Sequence, residues 1–247
     1  MPEVNRDGVT IRYIDEGSGP PVVLVHGFAA SYHYNWRVPG VIDALTGAGH
    51  RVVALDCRGH GTSDKPHDPA AYNGTAMADD VLAVMDASGL DRADLVGYSM
   101  GGFIASSLLV SHPERFRRVI LSGVGDALLA GDLPRERSSA IAAAMEGRQT
   151  EDETARNFRR FAEATGNDLE ALAAMQHAER RRSDPALLRK VALPVMVLIG
   201  EGDTLVGSGA ALAAAIPGAK HVVVPGDHLS AVGKPAFRQA IVDFLAD

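Results

Sequence analysis

The sequence predicts an α/β fold: a mostly parallel central sheet flanked by helices, with a small helical cap. Three observations predict it. Short β-rich runs alternate with helical stretches along most of the chain. Several of those runs are continuously apolar, as in Val22–Val25 and Val195–Ile199, which marks strands covered on both faces rather than one. The alternation breaks once, from about Asp126 to Arg189, where no strand pattern occurs.

Taken in order, strands are expected at Thr10–Asp15, Val22–His26, Arg51–Asp56, Asp94–Ser99, Arg118–Ser122, Pro194–Gly200 and His221–Pro225. Helices are expected over Thr75–Gly89, Gly101–His112, Ser208–Ile216 and Pro235–Leu245. Their apolar residues recur at helical spacing, as Met77, Val81, Val84 and Met85 do. Such alternation builds a parallel sheet sandwiched by helices. The interrupting stretch is rich in Ala, Arg and Glu, and the 12 acidic and 11 basic residues between Asp126 and Lys190 nearly cancel. It reads as two or three solvated helices. Long inserts in compact domains tend to be lids or binding elements. The expected division is therefore a core of residues 1–125 and 190–247 with a cap at 126–189.

Composition narrows the function classes. A chain of 247 residues can bury a core without disulfide staples, and its single cysteine, Cys57, allows no internal one. That fits a reducing compartment. With 24 basic and 31 acidic residues the net charge is −7, which gives no electrostatic case for nucleic acid or an anionic membrane as partner. Met1–Asp7 lacks the apolar stretch of a signal peptide, and no apolar run is long enough to span a bilayer. The expectation is a cytoplasmic protein acting on a small molecule.

The chemistry centres on Gly97-Tyr98-Ser99-Met100-Gly101-Gly102, between an expected strand and an expected helix. A strand that runs straight into a helix needs a sharp turn. The turn strains its middle residue and presents that side chain at the sheet's edge. Positions two before and two after must lack Cβ atoms, and Gly97 and Gly101 do. The helix dipole and free N–H groups point at Ser99. A serine hydroxyl needs an imidazole to take its proton, and the imidazole needs a carboxylate to fix its tautomer. In this architecture both should follow the serine, just past later strand ends. Asp203 follows one such strand and His228 the next. Asp126, Asp227 and Glu201 are the competing acids. For His33, His50, His67, His112, His177 and His221 a core or surface role suffices.

Acyl transfer builds charge on a carbonyl oxygen, which preorganised N–H donors must hold. The N–H of Met100, directly after the nucleophile, is one candidate. The other is the N–H of Phe28, in His26-Gly27-Phe28 after an early strand. His26 is expected to brace that loop through its ring nitrogens rather than to do chemistry.

These landmarks, in this order, resemble the α/β-hydrolase superfamily over nearly the whole chain. A further one, Asp56-Cys57-Arg58-Gly59-His60-Gly61-Thr62-Ser63-Asp64, is similar to the family's Asp-x-Arg-Gly-x-Gly-x-Ser turn. The resemblance gives that turn a structural role, with Asp and Arg bracing loops. His-Gly-Phe and Ser-Met-Gly-Gly are similar to small serine esterases, lactonases and cofactor-free haloperoxidase-type (perhydrolase) enzymes. Haloalkane dehalogenases and epoxide hydrolases carry an aspartate where this chain has Ser99. The resemblance implies cleavage of a carboxylic ester, lactone or thioester through an acyl-enzyme, with no cofactor. No His/Cys/Asp/Glu spacing suggests a metal site. Candidate substrate-binding residues are Phe28, Trp36, Met100, Leu128, Phe158, Phe161, Leu205 and Leu229. The run Arg180-Arg181-Arg182 reads as a solvated helix end, with attraction of an anionic substrate as the alternative. Rival functions are peracid formation, carbon–carbon hydrolysis with the same triad, and a ligand-binding receptor on the same scaffold.

Overall fold

The computed structural model describes residues 1–130, 135–179 and 184–246. Among these, eight strands form one sheet: β1 (Glu3–Arg6), β2 (Val9–Gly17), β3 (Pro21–Val25), β4 (Arg51–Leu55), β5 (Ala93–Tyr98), β6 (Phe116–Ser122), β7 (Val195–Gly200) and β8 (Lys220–Val224). Their order is β1-β2-β4-β3-β5-β6-β7-β8. Only the β1/β2 and β2/β4 pairs are antiparallel; from β4 to β8 every pair is parallel.

Parallel strands need crossovers, and helices supply them. They are α1 (Val41–Gly47), α2 (Ala76–Ala87), α3 (Met100–Ser111), α4 (Arg135–Met145), α5 (Glu153–Ala164), α6 (Leu169–His177), α7 (Ala210–Ala215) and α8 (Pro235–Ala246). Strand alternation divides the core in two. Val23, Val25, Leu95, Leu121 and Val197 face α2, α3 and the helices between β6 and β7. Val22, Leu24, Val96, Ile120 and Leu198 face α1 and α8, against Leu45, Phe237 and Ile241. Both faces are thus covered, as the unbroken Val/Leu/Ile runs require.

Strand β1 was not expected, because Glu3-Val4-Asn5-Arg6 is polar and only half covered. It pairs through a tight turn at Asp7-Gly8, both at positive φ (52° and 82°), the geometry that favours a two-residue hairpin. Helix α1 and a five-residue π-helical turn at His33–Arg37 were also not expected. Between β6 and β7 the expected helices appear as α4, α5 and α6. Asp152 and Asp168 cap the last two, accepting from the N–H groups of Ala155 and Ala171 at 2.9 and 3.0 Å. The Arg180-Arg181-Arg182 run lies outside the described residues. Among the described residues, no helix is long and apolar enough to cross a membrane.

Candidate active site

The turn after β5 is as tight as its glycines imply. Ser99 sits at φ 53°, ψ −114°, a backbone state costly for any residue with a side chain. Its N–H bonds Ser122 O at 2.8 Å, tying the turn to β6. A Cβ on Gly97 would stand 2.1 Å from Gly101 O, and one on Gly101 would stand 2.1 Å from Val25 O. Neither neighbour can move, because both are backbone. Helix α3 begins at Met100, so its first N–H groups open beside Ser99.

Ser99 Oγ lies 2.9 Å from His228 Nε2. His228 Nδ1 lies 2.7 Å from Asp203 Oδ2. A carboxylate only accepts, so Nδ1 carries the proton and Nε2 keeps its lone pair for the serine hydroxyl. Asp203 and His228 both sit just past strand ends, Asp203 after β7 and His228 after β8. Leu205 N–H donates to Asp203 Oδ1 at 3.1 Å. Tyr98 O–H donates to His228 O, so the residue before the serine also steadies the loop of the histidine. Asp203 and His228 are 7% and 8% exposed, shielded enough from water to keep this chain of bonds directional.

The competing acids have other work. Asp126 accepts from Ser208 Oγ at 3.0 Å and from Leu212 N–H at 3.1 Å. Asp227 accepts from the N–H groups of Leu229 and Ser230 and from the Ser230 hydroxyl. Glu201 is exposed.

The loop after β3 presses on the serine: a Cβ on Gly27 would meet Ser99 Cβ at 3.3 Å. Its peptide groups are fixed one by one. Gly27 N–H donates to Asn35 Oδ1 at 2.8 Å. Gly27 O accepts from His26 Nδ1 at 2.8 Å and from Ala30 N–H at 3.2 Å. In a trans peptide the N–H points opposite the C=O, so clamping Gly27 O aims the N–H of Phe28. Ala29 N–H donates to His60 Nε2 at 3.1 Å. His26 Nε2 accepts from Cys57 N–H at 3.0 Å, and His60 Nδ1 donates to Arg58 O at 3.1 Å. Each ring therefore holds one proton and one lone pair, both used. Burial drives both imidazoles below their ordinary pKa, His60 well below, which keeps them neutral. Among the described residues, the N–H groups of Phe28 and Met100 have no hydrogen-bond partner.

The Asp56–Asp64 turn underlies this loop. Asp56 Oδ1 accepts from Tyr32 N–H at 2.9 Å, and Oδ2 from Thr62 N–H at 2.8 Å. Arg58 pairs with Asp80 of α2 through two bonds of 2.6 Å, with both side chains almost fully buried.

Of the expected lining residues, Phe28, Met100, Leu128, Phe158, Phe161 and Leu205 share one apolar cluster on the nucleophile's side of the sheet. Phe158, Leu205 and Leu229 line a cleft of about 170 Å³ beside His228, with Thr154, Asn157 and Thr204 as polar wall. Trp36 is corrected. It is fully buried on the opposite face, among Leu24, Val41 and Tyr98, with its ring edge-on to Tyr98 at 6.5 Å. The π-helical turn at His33–Arg37 directs Asn35 toward Gly27 and Trp36 into that core. Sequence reasoning missed Asn35 and gave His60 no specific task, since both act through backbone groups of another segment.

A family model described as alpha/beta hydrolase fold matches residues 20–235. The chain belongs to the α/β hydrolase fold family. This α/β hydrolase is 39% identical over 128 residues to a 2-hydroxymuconate semialdehyde hydrolase of a Pseudomonas species, spanning 49% of this chain and 44% of that protein. It is 43% identical over 102 residues to epoxide hydrolase B of Mycobacterium tuberculosis, spanning 41% of this chain and 28% of that protein. The matched segment thus spans less than half the length of these relatives. Among solved structures, an enol-lactonase from Burkholderia xenovorans matches with a TM-score of 0.76 and 26% identity, covering all of both chains.

Proposed function

We propose that this α/β hydrolase cleaves small carboxylic esters or lactones through an acyl-enzyme on Ser99. The observation that carries the reading is the run Ser99 Oγ–His228 Nε2–His228 Nδ1–Asp203 Oδ2, at 2.9 and 2.7 Å. Ser99 Oγ attacks the acyl carbonyl as its proton passes to His228 Nε2. Asp203 holds the imidazole and stabilises its charged form. The oxyanion lies against the N–H groups of Phe28 and Met100. His228 then protonates the leaving oxygen, and the C–O bond breaks. Water, deprotonated by the same histidine, attacks the acyl carbon and frees the acid and Ser99. Asp203 is the acid of the triad, in preference to Asp126 or Asp227, whose oxygens are engaged elsewhere.

The helices between β6 and β7 act as a cap in this reading. Phe158, Thr154 and Asn157 of α5 wall the cleft beside His228. The leaving group must approach Nε2, so this cleft is its place. It holds only a few heavy atoms, being smaller than common ligand pockets of about 300 Å³ and above. Among the described residues its lining includes no Arg or Lys, and Asp227 is part of it. The Ser230 hydroxyl holds the Asp227 carboxyl below its usual range, so it stays charged. Small neutral alcohols fit, and carboxylate-bearing ones are repelled. Esters of one acyl group with ethanol, ethylene glycol and glycolic acid test this. The first two are expected to turn over faster than the third, and Asp227→Asn is expected to narrow the gap. Equal rates on all three would remove the leaving-group assignment.

The likeness to a 2-hydroxymuconate semialdehyde hydrolase favours a second reading, carbon–carbon hydrolysis by the same triad. The charged Asp227 in the cleft wall argues against so anionic a substrate, while the full-length likeness to an enol-lactonase supports the first reading. p-Nitrophenyl esters from C2 to C12 decide the matter when run beside a semialdehyde substrate. The expected result is ester turnover that falls by about four orders of magnitude or more in Ser99→Ala. Turnover of the semialdehyde alone would establish the second reading.

A further inference from the structure

The loop that carries Phe28 leaves its strained section at Ala29, a residue with a side chain at φ 59°. Left-handed backbone is costly at such a residue and persists only where its surroundings over-determine it. Three groups of the core hold this loop from below, namely His26, Asn35 and His60. The fourth hold comes from above. Asn167, in the turn between α5 and α6, donates through Nδ2 to Ala29 O at 2.8 Å. The second proton of the same amide goes to Thr165 Oγ1, also at 2.8 Å. Thr165 has one hydroxyl proton, and its shortest acceptor is Phe161 O at 2.7 Å. The hydroxyl therefore anchors to α5 and presents its lone pair to Asn167, which in turn grips Ala29. Phe28 itself packs edge-on against Phe158 of α5, ring centres 5.6 Å apart.

We propose that Asn167 is a positioning residue, which carries the seating of the α5–α6 segment over the core to the Phe28 N–H that receives the oxyanion. The proposal rests on the Ser99 reading above. Its chemical consequence is specific. Phe158 both lines the cleft and touches Phe28, and Asn167 closes the same unit around Ala29. A substrate that seats α5 thus also seats the oxyanion donor. Loss of Asn167 should weaken the transition state, which places charge on that N–H, and leave the neutral ground state nearly as before. A direct oxyanion donor is worth about 10²–10³ in kcat, so a misaligned one should cost about tenfold.

The test compares wild type with Asn167→Ala and Asn167→Asp on a p-nitrophenyl ester. The aspartate keeps the shape but offers Ala29 O no proton. Alongside, a trifluoromethyl ketone is measured as inhibitor. Ser99 Oγ adds to its carbonyl, the proton goes to His228, and the resulting oxyanion occupies the same hole. The expected result is kcat lower by about tenfold with KM within about twofold, and ketone affinity weakened by a similar factor. If Asn167→Ala folds poorly, Thr165→Val and Thr165→Ser serve instead. Valine should lower kcat and serine should restore it, at equal melting temperature. Unchanged kcat in the variants of an active wild type would overturn the role of Asn167 and leave the esterase reading standing. So would a rise in KM alone with ketone affinity intact. A wild type inactive on every ester would overturn the Ser99 reading, and this one with it.

Discussion

The imidazoles around Ser99 divide by what surrounds their nitrogens. His228 offers Nε2 to a hydroxyl that can leave its proton there, whereas His26 and His60 spend both nitrogens on backbone groups. The second kind stabilises only while neutral. Burial holds both pKa values below the ordinary 6.5. Unfolding lets these rings take protons that the folded state refuses, so stability is full above 6.5. It falls as the pH drops below that value toward the depressed folded pKa. Each histidine contributes up to about 1.4 kcal/mol per pH unit within that window. Melting temperature should therefore decline between about pH 6.5 and 5, and His60→Gln should flatten the decline. A flat wild-type profile over this range would mean that the rings take up protons in the fold. The meeting of Ser99 with His228 was legible from local chemistry and chain order. Asp203 was separable from Asp126 only by favouring the later strand end, and the structure gives Asp126 a separate task beside α7. Trp36 was misjudged because a stretch close to Phe28 in sequence does not reveal which side of the sheet it will face. Asn35 and Asn167 were illegible, because each holds backbone atoms of a distant segment and carries no motif of its own.

At the scale of elements, the strand–turn–helix around Ser99 makes the strictest demand on sequence. Gly101→Ala would force a methyl group against Val25 O, and Gly97→Ala would force one against Gly101 O. Overpacking of this kind costs about 1–3 kcal/mol, which at this size lowers Tm by about 2–12 °C. Gly47→Ala, where nothing lies within 4 Å of the added carbon, is the control and should not lower Tm. The Arg58–Asp80 pair makes a different demand, binding the Asp56–Asp64 turn to α2 in the interior. Asp80→Ala leaves a buried guanidinium without its partner and should cost about 3–5 kcal/mol in urea unfolding. Replacing both with apolar residues, Arg58→Met with Asp80→Leu, should cost clearly less. A larger loss in the double variant would show that the pair itself, not the orphaned charge, supplies the stability. Elements with strong apolar periodicity were legible to within a residue or two. Strand β1 was not, since a polar edge strand is held by its partner and its turn rather than by its own pattern.

Over the whole molecule, one sheet separates two cores and gathers the candidate site at one edge. Ser99 follows β5, Asp203 follows β7, His228 follows β8 and Phe28 follows β3, so residues from four distant segments meet where parallel strands end. The apolar runs and the order of motifs made this layout legible, because parallel strands share one C-terminal edge and any residue just past a strand lies on it. The helices between β6 and β7 were legible as helices, but their hold on the Phe28 loop was not. That hold depends on the Asn167 amide reaching a carbonyl 138 positions earlier in the chain. The nucleophile is the claim on which the functional reading stands. It is tested most directly by treating the protein with a fluorophosphonate and locating the adduct by peptide mass spectrometry. One adduct per chain is expected, on Ser99, formed far more slowly in His228→Ala. An adduct on another residue, or none on a folded protein, would contradict it.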